Sequence, residues 1–97
     1  MTDFATSTDR LLTQVRHWEQ PRWSVAGRAD RMFALVQELA DLAADAEGRP
    51  HRPVPRGNDV LLPDQLRVMA DDLLAAEPSP AVLAGAHNAV ETTRNAF

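Results

Sequence analysis

Carboxylates at helical spacing are the residues of this sequence best suited to chemistry. Glu38, Asp41 and Asp45 recur in steps of 3 and 4, so they share one face if the stretch is helical. Asp71 and Asp72 lie next to each other in a second stretch of helical pattern. Carboxylate oxygens on facing helices can hold Mg²⁺ for phosphate chemistry. One hypothesis is therefore a metal-dependent nucleotide or phosphate hydrolase that uses these five carboxylates.

The same carboxylates have a simpler interpretation as a solvated acidic flank, which we favour. The string Glu38-Leu39-Ala40-Asp41 resembles the ExxD half of the motif of MazG-like nucleotide pyrophosphohydrolases, which are all-helical enzymes. That motif also has an EExxE element on an earlier helix, and this sequence contains none. We therefore do not assign the family, and we predict no catalytic residue, no metal ion and no cofactor.

Both tryptophans of the chain lie in residues 16–23, where they alternate with arginines. Interleaved Arg and Trp side chains can form a stacking surface for bases or a cation–π cage. Large aromatic side chains more commonly close small cores. We therefore predict a corner between two helices, with Trp18 on the core face of the first helix. Trp23 would pack just before a second helix that Ser24 caps.

Residues 49–56 hold three prolines and three arginines, Arg49, Arg52 and Arg56. Proline restricts its own backbone and that of the preceding residue, so this segment is predicted to be extended and stiff. Its arginines do not fit either usual arrangement around a PxxP ligand of an SH3 domain. We predict that residues 48–62 form an extended strap across the protein, with the arginines near carboxylates on either side.

Four stretches with helical spacing of apolar residues predict an all-α fold. The helices are expected at about residues 8–19, 24–47, 63–76 and 80–96. Ser7 or Thr8, Ser24 and Ser79 are the expected N-caps, which leaves no serine in the context of a nucleophile. The predicted fold is a small four-helix bundle with an up-down order, in one domain over residues 1–97 with residues 1–6 frayed.

The second predicted helix, residues 24–47, is apolar over more of its circumference than a surface helix needs. One stripe runs through Met32, Leu35 and Leu39. A second apolar flank contains Phe33, Ala40 and Ala44. Unless the other helices cover this flank, we expect it to meet another chain, so these three residues are candidates for an interaction surface.

Composition narrows the possible partners. The net charge is −4, which disfavours a nucleic-acid phosphate backbone, and the last predicted helix carries a single arginine, Arg94. There is no cysteine, so disulfides and thiolate metal sites are excluded. No apolar run approaches the ~18 residues of a membrane span and no signal-peptide pattern is present, so we expect a cytoplasmic protein without membrane contact.

Taken together, the sequence favours a small non-enzymatic protein–protein interaction module: an adaptor, regulator or accessory subunit, with a homodimer as one form. The candidate interaction residues are Phe33, Ala40, Ala44, Trp18, Trp23, Arg49, Arg52 and Arg56. The hydrolase-like protein is the alternative, and a helical DNA- or ligand-binding regulator is the second alternative.

Overall fold

The computed structural model describes residues 3–97 and is mostly helical, with no β-strand in that range. Five α-helices follow one another: α1 (Phe4–Val15), α2 (Gln20–Trp23), α3 (Arg28–Ala46), α4 (Leu62–Ala75) and α5 (Pro80–Asn95). A 3₁₀ turn (Asp59–Leu61) leads into α4. The prediction of a compact all-α chain is confirmed, and α4 and α5 end within one residue of the predicted positions.

Helix α1 begins earlier than predicted, because Asp3 rather than Ser7 or Thr8 is its N-cap. The Asp3 carboxylate accepts a 2.8 Å hydrogen bond from the backbone N–H of Thr6, and this bond holds the pKa of Asp3 below its usual value. Phe4 is buried in the core, so fraying of residues 3–6 was wrongly predicted. Residues 1 and 2 lie outside the described range. Ser7 and Thr8 are buried inside the helix.

The corner between α1 and α3 also differs from the prediction. Helix α1 stops at Val15, and the short helix α2 carries Trp23 into the core. The Ser24 hydroxyl closes α2 by donating a 2.9 Å hydrogen bond to the carbonyl of Gln20, so Ser24 is not the N-cap of the next helix. Gly27 takes that position with a left-handed backbone (φ 77°), and α3 starts four residues later than predicted.

The far end of α3 follows the sequence closely. The helix ends at Ala46, one residue before the predicted end, and Gly48 adopts the left-handed conformation (φ 68°) expected after a helix. The N–H of Arg49 then bonds the carbonyl of Ala44 at 2.8 Å, which satisfies one of the free carbonyls at the helix end.

Of the two main helix pairs, only α3/α4 is consecutive in the chain. Helix α3 packs chiefly along α4 and helix α1 along α5, while α3 also contacts α5 and α1 contacts α4. The successive pairs α1/α3 and α4/α5 are not among the principal pairings, so the up-down order is not confirmed. The chain measures 38 × 32 × 17 Å, and the short dimension corresponds to about two layers of packed helices.

One hydrophobic core lies between these helices. Its largest fully buried apolar side chains come from every α-helix: Leu11, Val15, Trp23, Met32, Val36, Leu39, Leu62, Leu66, Leu73 and Val90. In residues 3–97, no helix is both long and apolar enough to cross a membrane.

Candidate functional site: the strap on helix α3

Residues 49–56, in the segment that joins α3 to α4, lie against α3 as an ordered strap, and the name strap is kept for them below. The predicted strap of residues 48–62 was too long, because Asp59–Leu61 form a 3₁₀ turn and Leu62 begins α4. The strap is neither helix nor strand. Four side chains of α3 spaced by four residues, Phe33, Gln37, Asp41 and Asp45, form one face of the helix and hold the strap. Strap residues meet this face in reverse order, so the strap runs back along α3.

Gln37 fixes the middle of the strap through its backbone. Its side-chain Nε2 donates a 3.0 Å hydrogen bond to the carbonyl of Arg52, and its Oε1 accepts a 2.8 Å bond from the N–H of Val54. This is the pattern that one residue makes in a parallel β-bridge, here supplied by a side-chain amide. Nε2 also donates to Asp41 at 2.9 Å. The side chain of Val54 is also buried, so the strap has both a polar and an apolar anchor.

His51 ties the first half of the strap to the C-terminal half of α3. Its Nε2 lies 2.6 Å from Oδ1 of Asp45, and its Nδ1 lies 3.8 Å from Oδ1 of Asp41. The hydrogen bond with Asp45 raises the pKa of His51, a partial loss of hydration opposes this, and the negative charges of both carboxylates raise the pKa further. Negative charges near a helix C-terminus oppose the helix dipole. His51 faces two of these charges, those of Asp41 and Asp45.

Arg56 anchors the other end of the strap. Its guanidinium group forms ion pairs with Asp30 at 3.0 Å and Asp59 at 3.6 Å, and it lies 4.7 Å from the centre of the Phe33 ring. Gln65 of α4 adds a 2.9 Å hydrogen bond from its Nε2 to the carbonyl of Pro55. The strap is thus held from both α3 and α4, and it covers one side of Phe33.

The predicted apolar flank of α3 is largely covered inside the chain. Ala44 is buried, while Phe33 and Ala40 are half-buried against the core. The strap and α4 lie over this flank, and between them remains a cleft of about 200 Å³ that Ala40 and Ala44 help to line. The wide apolar arc of α3 therefore does not require a second chain.

The three strap arginines have different surroundings. Arg49 pairs with Glu47 at 3.0 Å and Arg56 pairs as described, so two of the three lie near carboxylates as predicted. The Arg52 guanidinium group makes no hydrogen bond or ion pair with any residue in 3–97. Sequence reasoning missed Gln37, which binds the strap from α3, and His51, which binds α3 from the strap. The spacing of Gln37 from Phe33 and Asp45 on one helix face was visible, but the path of the strap was not.

Both tryptophans are buried, but Trp18 lies in the turn after α1 and not on the core face of that helix as predicted. Trp18 and Trp23 pack edge to face with their rings 4.9 Å apart, and Phe97 lies 5.3 Å from the Trp18 ring. The guanidinium groups of Arg22 and Arg28 lie 5.5 and 4.9 Å from the Trp18 ring centre. These arginines cover a ring that is only 8% exposed, so the ring faces are not free for base stacking.

The carboxylates of the hydrolase hypothesis do not converge. Within the part of the chain described here, no three His, Asp or Glu side chains are placed to hold a metal ion together. Asp41 and Asp45 face His51, and Asp71 lies 3.8 Å from Arg67. Nothing in this arrangement brings Glu38 or Asp72 to them.

A polar cluster that the sequence did not reveal joins α1 to α5. The buried Ser7 hydroxyl donates a 2.9 Å hydrogen bond to Oε1 of Glu91, and Arg94 donates a 2.9 Å bond to Oε2. The Ser7 bond, followed by that of Arg94, lowers the pKa of Glu91. A carboxylate with a lowered pKa is a poor general base, so this cluster acts as a tie between helices.

No protein-family description, curated protein or solved structure matches this chain.

Proposed function

We propose that this protein is a small, cytoplasmic, non-enzymatic protein–protein interaction module whose binding surface is the strap. The observation that supports this most is the double hydrogen bond from the Gln37 side chain to the strap backbone. It holds an extended segment of prolines and arginines in one position on the surface. In this proposal a four-helix bundle is the scaffold, with α3 and α4 carrying the strap.

The strap suits a partner with an acidic surface. Residues 49–56 contain three arginines and no carboxylate, in a chain whose net charge is −4. Because the strap is already ordered by Gln37, Val54 and Arg56, binding costs little conformational entropy. Arginine is also enriched among the residues that dominate binding energy at interfaces.

A matched pair of double variants tests this function. Arg49→Glu with Arg52→Glu reverses the strap charge, and Arg16→Glu with Arg31→Glu makes the same change in net charge at two exposed arginines outside the strap. Proteins captured from the source lysate are identified by mass spectrometry. We expect at least one protein to bind wild type and the control variant, and to bind the strap variant at least tenfold less. If every captured protein treats the two variants alike, the strap is not the binding surface.

A homodimer is a second form of the proposed interaction module. Among residues 3–97, the large exposed apolar side chains are Val25, Val60, Leu61, Val68 and Leu74, and not those of the covered flank around Phe33. For the homodimer we propose the region of Val60 and Leu61, because these are the two exposed apolar residues that are adjacent in the chain. Light scattering after size exclusion at high concentration, on wild type and on Leu61→Asp, decides this form. A monomer in both cases removes it.

A further inference from the structure

A cleft lies beside the strap, next to the proposed binding surface. It is bounded by the strap, by the C-terminal half of α3 and by α4, and its volume is about 200 Å³. Its apolar lining includes Ala40, Ala43, Ala44 and Met69. Small-molecule sites are commonly about 300–1,000 Å³, so this cleft has room for one apolar side chain rather than for a cofactor.

Small residues on α3 keep this cleft open. Alanine side chains do not reach across the space between α3 and the strap. The strap cannot collapse onto them because hydrogen bonds to other residues fix its backbone. Gln37 holds the strap backbone at Arg52 and Val54, and Gln65 holds it at Pro55. The cleft is thus formed before any partner arrives.

Two opposite charges without partners line the same cleft. Arg52 contributes to it from the strap and Asp72 from α4. Neither side-chain charge makes a hydrogen bond or ion pair with any of residues 3–97. Arg49 lines the strap side as well and is paired only with the exposed Glu47. The cleft therefore has a basic side at the strap and a single acidic group on α4.

We propose that this cleft binds one apolar side chain of a partner protein, from a segment that carries an Asp or Glu next to the apolar residue. The carboxylate pairs with Arg52, and a main-chain N–H of the segment donates to Asp72. A protein segment is favoured over a free small molecule because the cleft is open to solvent, and the rest of the segment can cover it by lying along the strap. This inference rests on the proposed function and specifies its partner.

A random peptide library displayed on phage and selected on the immobilised full chain tests the proposal. Ala40→Leu fills the cleft from its half-buried lining, and Ala84→Leu is the matched control at an exposed helical alanine. Arg52→Glu removes the basic group, and Arg31→Glu is its control. We expect selected peptides to contain an apolar residue beside Asp or Glu, to bind Ala40→Leu and Arg52→Glu at least tenfold more weakly, and to bind both controls like wild type.

Three results would overturn the proposal. The first is a selection that returns no peptide sensitive to Ala40→Leu and Arg52→Glu. The second is a set of sensitive peptides without a neighbouring carboxylate. The third is displacement of the peptides by free leucine at millimolar concentration, which would assign the cleft to a free amino acid. If Ala40→Leu does not fold by circular dichroism, the methyl NMR signals of Ala40, Ala43 and Met69 in wild type must shift on peptide addition, and unshifted signals overturn the proposal.

The two proposals fail in different ways. A captured partner that depends on Arg49 and Arg52 but binds Ala40→Leu normally leaves the strap as the binding surface and removes the cleft as its anchor site. If the captured proteins bind the Arg49→Glu, Arg52→Glu variant as tightly as the control variant, the strap is not the binding surface.

Discussion

The side-chain oxygen of Gln37 accepts a 2.8 Å hydrogen bond from the backbone N–H of Val54, seventeen residues further along the chain. The same amide donates to the carbonyl of Arg52, so one side chain of α3 satisfies the strap backbone on both sides of Pro53. This contact turns a proline-rich connection into a fixed surface element, on which the proposed binding surface and cleft both depend.

Removing the Gln37 amide should release the strap. We expect Gln37→Ala to lower the free energy of unfolding by about 1–2 kcal/mol, because the N–H of Val54 and the carbonyl of Arg52 lose their partner in a partly buried position. Urea denaturation measures the change. Hydrogen exchange should become faster at Val54 in particular.

Gln14→Ala is the control for this substitution. Gln14 is also a half-buried helical glutamine, and its side chain makes no hydrogen bond within residues 3–97. Its replacement should leave exchange at Val54 unchanged. Equal protection of Val54 in Gln37→Ala and wild type would mean that the strap is held without this amide.

The His51 ion pair should make stability depend on pH in one direction. Its pKa in the folded protein is raised above the ordinary value of 6.5, so its contribution is complete below that value and disappears as pH rises through the folded pKa. Wild type should therefore exceed His51→Gln in stability at about pH 5.5, and the difference should shrink towards about pH 8.5.

Titration of the His51 ring by NMR gives the direct measurement. In Asp45→Asn the pKa of His51 should fall, because the hydrogen bond with the Asp45 carboxylate is the main cause of its rise. A pKa of His51 that is the same in wild type and Asp45→Asn would contradict this cause.

Two glycines should respond oppositely to alanine. Gly27 has a left-handed backbone, so Gly27→Ala should destabilise the protein by about 1–2 kcal/mol although a Cβ there meets no atom within 4 Å. Gly85 lies inside α5 with similarly open space, so Gly85→Ala should stabilise by about 0.5–1 kcal/mol. Thermal unfolding measures both. A stabilising Gly27→Ala would mean that α3 does not begin at Arg28 through a left-handed glycine.

The hydrogen bond between Ser7 of α1 and Glu91 of α5 should affect the pH at which the protein unfolds in acid. The Ser7 hydroxyl is the largest cause of the lowered pKa of Glu91, so Ser7→Ala should raise that pKa towards its usual value. A lowered pKa stabilises the fold above the ordinary value, and this contribution is lost as pH falls. Acid unfolding of Ser7→Ala, followed by circular dichroism, should therefore begin at higher pH than in wild type. Ser24→Ala, at an exposed serine that contacts Gln20, should not shift the onset.

Local signals explain where sequence reasoning succeeded and where it failed. Ser79-Pro80 and Gly48 mark helix ends through their own backbone preferences, and the structure places ends there. Ser24 is an equally favourable N-cap residue. In the structure, however, its hydroxyl donates to the carbonyl of Gln20 and closes α2, the helix that carries the buried Trp23. Ser7 or Thr8 was the expected cap of α1, whereas Asp3 caps it in the structure, and the burial of Phe4 favours this earlier start.

The candidate site also combines features that the sequence predicts with features that only the tertiary structure sets. Proline content alone determined that residues 49–56 are extended, and helical periodicity determined that α3 is apolar over an unusually wide arc, because both follow from near neighbours in the chain. Only the tertiary structure decided that the strap turns back over that arc, that Gln37 bonds Val54, and that His51 meets Asp45. Those contacts depend on the direction in which the chain leaves Gly48 and on the pairing of α3 with α4, and neither is encoded in the residues on either side.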